Sequence, residues 1–474
     1  MKTSSTTPSG PPVHSRTTSL GDETILASAP DSLRRPARRL PLRGADLVLM
    51  AMHRLWPRDA LSNNTLMVVE CDGTIDAARV REAFDRLLDF CAWPAARLKR
   101  PFPWGKLHWA VGPRATLMPP PVREVTVASE AQAHAVLEVE LNAAIDPRRE
   151  PPLRLTVIAV TGDGRHAPGR TRLVFTWCHP LMDPRGGQNL LEHLGRVDAC
   201  DGETAWAGAP PAFVSEPDRR PLRERGRLAS RSVAYMRSLM SVSPVSPGTG
   251  LKNPGPMRFK RQTCVEATSR LNGGRTRRDI FWRLAVVGRA MAELWQKRGL
   301  PDVPFLVPIS VDLRRKGDPE PTFGNALAFH FARFKPSGTD DETALAHALR
   351  EQMADAMRQG QIEANAVAME FLHYRPLSVM LRDLPGTASG ETFSFNCADL
   401  GAVPATLDAV FGTRVVNVYH APAVLPRPGI GVFFNRCGKE NNLVVSWIEG
   451  AVTEDEVARI MALVREGMGW TTAD

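Results

Sequence analysis

The sequence predicts an α/β protein built from two halves of similar make-up. Short β-branched and aromatic runs, such as Asn64 to Cys71, Leu153 to Val160 and Leu173 to Trp177, are interspersed with segments of helical periodicity. The order of elements after residue 258 loosely echoes the order before it, without a sequence repeat strong enough to count. Between them, at about 201–257, lies a stretch crowded with charge and turn-formers.

Residues 1–43 contain thirteen Ser/Thr and six Pro with few large apolar groups. Such a segment cannot offset its ordering entropy by burial, so it reads as a disordered tail, with structure from about Gly44. The first half, 44–200, opens with a short helix at Ala45 to Leu55 and the strand Asn64 to Cys71, closed by the turn pair Asp72-Gly73. Asp76 can cap a helix whose apolar positions Val80, Phe84, Leu87, Leu88 and Cys91 recur at spacings of three and four. A strand at Lys106 to Val111, a helix at Glu130 to Ala144 and the strand Leu153 to Val160 follow. The polar tip GDGRHAPGR then turns the chain back into the Leu173 strand.

The stretch 201–257 reads as a crossover linker holding one short helix, Ser232 to Met240. The second half, 258–474, contains the clearest helix, Arg278 to Arg298, with Ile280, Leu284, Val287, Met291 and Leu294 on its apolar face. Strands are expected at Phe305 to Val311, Ala326 to Phe334, Thr392 to Asn396, Ile430 to Asn435 and Asn442 to Ile448, and a helix at Thr343 to Met357. Thr453 with Glu456 makes a capping box for a last helix bearing Val457, Ile460, Met461 and Val464.

Composition excludes several classes. No run approaches the roughly 18 apolar residues of a membrane helix, and no apolar signal core stands near the start. The seven cysteines are scattered without a C-x-x-C pair, which argues against a disulfide framework or zinc site and for a reducing, cytoplasmic setting. The net charge of +9 is spread over tail and linker arginines without interleaved aromatics, so no nucleic-acid surface is expected. Peripheral contact with acidic headgroups stays open. No metal-ligand cluster or Gly-rich phosphate loop appears.

The chain is organised around Thr171 to Gly195 (TRLVFTWCHPLMDPRGGQNLLEHLG). A buried strand delivers His179 to a tight loop that Pro180 and Pro184 bar from ordinary helix, with Asp183 four residues on. Leu190, Leu191 and Leu194 then give a helix one apolar face. Cys178, following a buried strand, reads as a packing residue. His53, His108, His330 and His420 read as structural or surface residues. No G-x-S-x-G elbow of a hydrolase occurs.

These stretches, in their order, resemble the CoA-dependent acyltransferase superfamily, which includes chloramphenicol acetyltransferase, peptide-synthetase condensation domains and wax ester synthase/diacylglycerol acyltransferases. The resemblance covers about 45–465. It rests on LMVVECDGTIDAARVREAFDRLLDFCAWPAARL, IDPRREPPLRLTVIAV, CHPLMDPRG, LNGGRTRRDIFWRLAVVGRAM and VPISVDLRRKGDPEPTFGN. CHPLMDPRG stands where the family has His-His-x-x-x-Asp-Gly, with Cys178 for the first histidine and Pro184 for the glycine.

The resemblance implies two chloramphenicol-acetyltransferase-like subdomains with a tunnel at their interface. It also implies His179 as general base, Asp183 as the aspartate that holds the loop, and Arg314 (or Arg315) as its partner. Such an enzyme would move an acyl group from a CoA or carrier-protein thioester to a hydroxyl or amine. Acyl-CoA or acyl-pantetheine serves as co-substrate, no bound cofactor is needed, and an acyl carrier protein is a candidate partner. An imidazole in reach of the acceptor can take its proton and pass it to the leaving sulfur, so no Ser or Cys nucleophile is required. An oxyanion donor is expected, for which Asn325 and Asn396 are candidates, with turn formation as the alternative for both. Two other readings remain: a non-catalytic condensation-domain-like module that binds a carrier protein or partner, and an epimerising or cyclising relative.

Overall fold

A computed structural model describes residues 38–53, 63–101, 105–114, 117–161, 170–199, 219–266, 279–314, 323–374 and 391–472. β1 (Arg38–Pro41) leads into α1 (Gly44–His53) and β2 (Asn64–Asp72). Asp76 caps α2 (Ala77–Phe90), its side chain accepting the Ala78 N–H at 2.7 Å. β3 (Arg97–Lys99), β4 (His108–Val111), β5 (Val122–Val127), α3 (Glu130–Asn142), β6 (Leu153–Val160), β7 (Arg170–Cys178) and α4 (Pro184–Ala199) complete the first half. The tip expected at GDGRHAPGR lies almost wholly outside the described residues, but β6 and β7 pair antiparallel on either side of it.

α5 (Leu222–Leu239) follows. Then come β8 (Met257–Glu266), α6 (Ile280–Lys297), β9 (Phe305–Asp312), β10 (Leu327–Phe334), α7 (Glu342–Arg358) and α8 (Gln361–Glu370). The chain ends with β11 (Asn396–Ala402), β12 (Ala409–Val410), β13 (Thr413–Pro422), β14 (Ile430–Cys437), β15 (Glu440–Ile448), α9 (Glu454–Met468) and β16 (Trp470–Thr472). The Thr453/Glu456 capping box is present at the head of α9.

Several elements differ from expectation, three of them in their bounds. A strand, β1, already stands before Gly44, where structure was expected to start, and pairs antiparallel with β4. The short helix expected at Ser232 to Met240 is the last part of α5, which runs for 18 residues. The arginines that made this stretch look like a linker are good helix formers. Arg220, just before α5, bonds Glu363 of α8, and Arg231 within α5 donates to the carbonyl of Gly360, the N-cap of α8. The strand expected at Thr392 to Asn396 instead starts at Asn396, and Ser394 before it exchanges hydrogen bonds with Leu306 of β9.

Two sheets organise the molecule. One has the order β12-β13-β2-β7-β6-β5, the other β11-β14-β15-β8-β16. β13 comes from the far end of the chain yet pairs antiparallel with β2, Pro422 opposite Thr65. β2 and β7 are buried at nearly every position because both faces of their sheet are covered. Met67, Val69, Phe175 and Trp177 pack with α2 and α4 residues such as Phe84 and Leu191. Leu66, Val68 and Val174 share one core with Phe433, Val445 and the α6 face of the second half. Buried amides pin the two sheets: Asn417 and Asn442 exchange hydrogen bonds at 2.9 and 3.0 Å, and Asn435 donates to the Val418 carbonyl. The protein is therefore two α/β subdomains meeting across a shared core.

Candidate active site

β7 ends where its ladder with β2 ends, Cys178 opposite Asn64. The next N–H, that of His179, donates to the Asn63 carbonyl at 2.9 Å, and Leu181 N–H closes a turn on the Cys178 carbonyl at 2.8 Å. Trp177 Nε1 ties the far side of the loop to the Met182 carbonyl at 2.8 Å.

α4 starts immediately after Asp183. The Asp183 carboxylate accepts the Gly186 N–H at 2.8 Å, as a helix N-cap does. Pro184 thereby occupies the first helical position. There its fixed φ suits the helix and its missing N–H would have had no partner. A proline in place of the glycine of related motifs is thus compatible with the loop. The glycines that follow provide close approach, not the flexibility one might assign them. A Cβ on Gly186 would lie 1.9 Å from the Phe323 carbonyl oxygen, and one on Gly187 would lie 3.0 Å from the Trp177 ring.

Phe323 belongs to an arm, the end of the β9–β10 connection, that the second half lays over this loop. Just past β9, Arg314 Nη2 donates to both Asp183 oxygens at 2.9 and 3.0 Å and to the Gly324 carbonyl at 2.8 Å. Its Nη1 meets Asp312 at 3.1 Å, and Ala326 N–H donates to Asp183 Oδ2 at 3.0 Å. The Asp183 side chain is 2 % exposed and that of Arg314 13 %. Burial opposes the charge on Arg314, but Asp183 and Asp312 outweigh it and raise its pKa. With every Asp183 contact a donor, this carboxylate is a fixed strut. Arg315 lies outside the described residues.

His179 is half-buried. Burial lowers its pKa below the ordinary value, against the raising influence of its own carbonyl, Asp183 and the Met182 carbonyl. The ring is therefore neutral at pH 7. Its Nδ1 is fully buried and meets no other described residue in hydrogen-bond geometry, which leaves Nε2 as the atom that can take a proton.

Asn325, 3 % exposed, stands beside this loop. Its Nδ2 lies 2.8 Å from Asp46 Oδ1, 3.1 Å from the His179 carbonyl and 3.2 Å from the Pro180 carbonyl. Asn396, half-buried at the first position of β11, pairs with Gly431 of β14, and of the two candidates it is Asn325 that the described contacts bring to the His179 loop. Cys178 is fully buried and burial pushes its thiol pKa far up, which suits packing and not nucleophilic attack. His108 is buried, its Nδ1 3.3 Å from the Lys106 carbonyl. His53 ends α1, and His330 and His420 are buried.

Two neighbours of the loop were not legible in the sequence. Asp46, in the first turn of α1, is 6 % exposed, and burial raises its pKa to about 7. A lone acid in the apolar run GADLVLM was the available signal. His420 on β13 lies against the backbone of Pro184, and burial takes its pKa down to about 3.

Among the described residues no group of three or more His, Cys, Asp or Glu could hold a metal ion, and no helix is long and apolar enough to cross a membrane. A cavity of about 330 Å³ opens on the seam between the halves, lined by Arg172 of β7 and by Arg261 and Phe259 of β8. Arg172 of β7 lies seven positions before His179, about 23 Å along an extended chain.

No protein-family model matches the chain, and no curated protein matches it in sequence. Solved structures do match it. The trichothecene 15-O-acetyltransferase of Fusarium sporotrichioides is similar over 94 % of this chain and 99 % of its own, with TM-score 0.64 and 13 % identity. The first condensation domain of the calcium-dependent antibiotic synthetase, solved with a substrate analogue, is similar over 91 % of this chain and 97 % of its own, with TM-score 0.62 and 15 % identity. A variant of the starter condensation domain of rhizomide synthetase, in complex with C8-CoA and Leu-SNAC, matches 91 % of this chain and 94 % of its own, with TM-score 0.60 and 16 % identity. At these identities the likeness establishes the fold.

Proposed function

We propose that this chain, which has the fold of the CoA-dependent acyltransferase superfamily, transfers an acyl group from a CoA or carrier-protein thioester to a hydroxyl or amine, with His179 as general base. The observation that carries this reading is the neutral His179 ring, held on a braced loop with Nδ1 buried and Nε2 left to accept. Nε2 takes the acceptor's proton as its oxygen or nitrogen attacks the thioester carbonyl. The C–S bond then breaks, and the proton passes from Nε2 to the departing sulfur. Atoms balance with no covalent enzyme intermediate. Asp183 and Arg314 keep the loop in place while the proton moves, in line with the donors from Arg314, Gly186 and Ala326 that converge on the Asp183 carboxylate.

Support for the donor class comes from the structural likeness to a domain bound to C8-CoA, and for the reaction class from an acetyltransferase of the same fold. The test is incubation of the full chain with a panel of acyl-CoAs and a mixture of alcohols and amines, following free thiol and acylated product by mass. Acceptor-dependent thiol release is expected. Binding of acyl-CoA without any acceptor-dependent release would favour the partner-binding reading.

A further inference from the structure

We infer that the cavity on the seam between the halves is a second binding site, built for a small aromatic carboxylate. The inference does not rest on acyl transfer, because the cavity uses none of the residues assigned to that reaction.

Its walls come from both halves. His134 of α3, Arg172 of β7 and Tyr419 of β13 stand against Phe259, Lys260 and Arg261 of β8 around a volume of about 330 Å³. That is the size of a small-molecule pocket. Much of the wall is aromatic. Phe259 and Tyr419 are 1 % and 2 % exposed, and the His134 ring lies 4.6 Å from the Phe259 ring.

The polar atoms left over in these walls include three donors. A buried phenol ordinarily finds a hydrogen-bond partner, yet the Tyr419 hydroxyl makes none with another described residue. Burial raises its pKa to about 12, so it keeps its hydrogen at neutral pH. Arg261 lies with Cζ 4.2 Å from the centre of the Tyr419 ring. Glu70 holds it there at 2.9 and 3.1 Å and Asn442 at 3.4 Å, through Nη1 and Nη2. Arg172 is held by Glu130 through Nη2 and lies 3.5 Å from Glu70 through Nε. The carboxylates thus orient both guanidinium groups and leave Nε of Arg261 and Nη1 of Arg172 uncommitted among the described residues.

Charge then selects the ligand. Arg172, Arg261 and Lys260 stand against the two carboxylates Glu70 and Glu130, while His134 lies 3.7 Å from Glu138. One cation is in excess. A monoanion restores neutrality, and a phosphate dianion overfills it. A carboxylate on a flat ring meets both demands, its oxygens accepting from Tyr419 and the guanidinium groups and its ring lying on Phe259 and Tyr419. Such a ligand touches both halves and braces the seam. It does not reach His179, about 23 Å from Arg172 along an extended chain.

The test is calorimetry on the full chain at pH 7.5 and low ionic strength, with benzoate as probe. Benzamide and phenyl phosphate serve as its neutral and dianionic counterparts. Benzoate should bind once per chain, about tenfold tighter than either, as charge-assisted hydrogen bonds require, and raise the melting temperature. Tyr419→Phe, which removes one hydroxyl, should weaken benzoate by about fivefold, and Lys260→Gln should weaken it as well. His179→Ala should bind benzoate as wild type does. Benzoate binding no tighter than benzamide, or undiminished in both variants, would overturn the site. Tighter binding of phenyl phosphate would overturn the carboxylate class. Displacement of benzoate by CoA would assign the cavity to the thioester donor and overturn a separate site, while leaving the transferase reading intact. Should Tyr419→Phe fail to fold, Lys260→Gln and the CoA competition still decide.

Discussion

Arg314 of the second half and Asp183 of the first form an ion pair, 2.9 Å from Nη2 to Oδ1 and 3.0 Å to Oδ2, that fastens the His179 loop from across the seam. Both side chains are shielded, and each oxygen of Asp183 has a further backbone donor. Removing one member of such a pair leaves a buried charge without its counterion. Asp183→Asn is therefore expected to cost about 3 kcal/mol of stability in denaturant unfolding and to reduce turnover at least tenfold. Arg314→Lys should lower both as well, because a point charge cannot span the two oxygens and the Gly324 carbonyl together. Unchanged folding and turnover in Asp183→Asn would refute the strut.

The glycines of α4 give a graded steric test. Gly186→Ala places a methyl within 1.9 Å of a backbone oxygen, and backbone yields poorly. A loss of about 2 kcal/mol or more is expected, with partial opening of the arm that carries Asn325. Gly195→Ala, in the same helix, meets nothing closer than 3.9 Å. It should be neutral or stabilising by up to about 1 kcal/mol, as alanine is in helix interiors. Equal melting temperatures for the two variants would contradict the tight approach of the halves.

Much of the architecture was legible because its causes are local. β7, α6 and the capped ends of α2 and α9 follow from apolar spacing and from Asp76 and Thr453 at the right offsets. What escaped depends on distant partners. The strand Thr413–Pro422 gives only a weak local signal and takes its place by pairing with β2, some 350 residues earlier. α5 reads as a charged linker until α8 is there to receive its arginines. At the site, His179 and Asp183 stand out from one stretch of sequence. Their link to Arg314 came from family resemblance, and the link to Asp46 had no local trace, since α1 and the loop are brought together only by the fold.

Acid should destabilise this protein through its buried histidines. His330 and His420 are 3 % and 0 % exposed, and burial lowers their pKa values to about 4 and about 3. The unfolded chain takes up these protons below its ordinary histidine pKa while the folded chain does not, so stability is present above about pH 6.5 and falls below it. Each contributes a loss of about 3 kcal/mol by pH 4. Asp46, whose pKa is raised to about 7, works in the opposite direction, its stabilisation being lost as pH rises from about 4 to 7. Two histidines outweigh one aspartate, so the melting temperature should fall between pH 7 and pH 4.5, and His330→Phe should flatten the slope. A melting temperature that rises on acidification would contradict this balance.

The most direct test of the central claim is acceptor-dependent thiol release from acyl-CoA by wild type and by His179→Ala at pH 7.5, with folding checked by circular dichroism. Loss of the proton-accepting Nε2 should slow release by a factor of about 10² to 10⁴ without changing the fold. Equal rates in the two proteins would contradict His179 as the base.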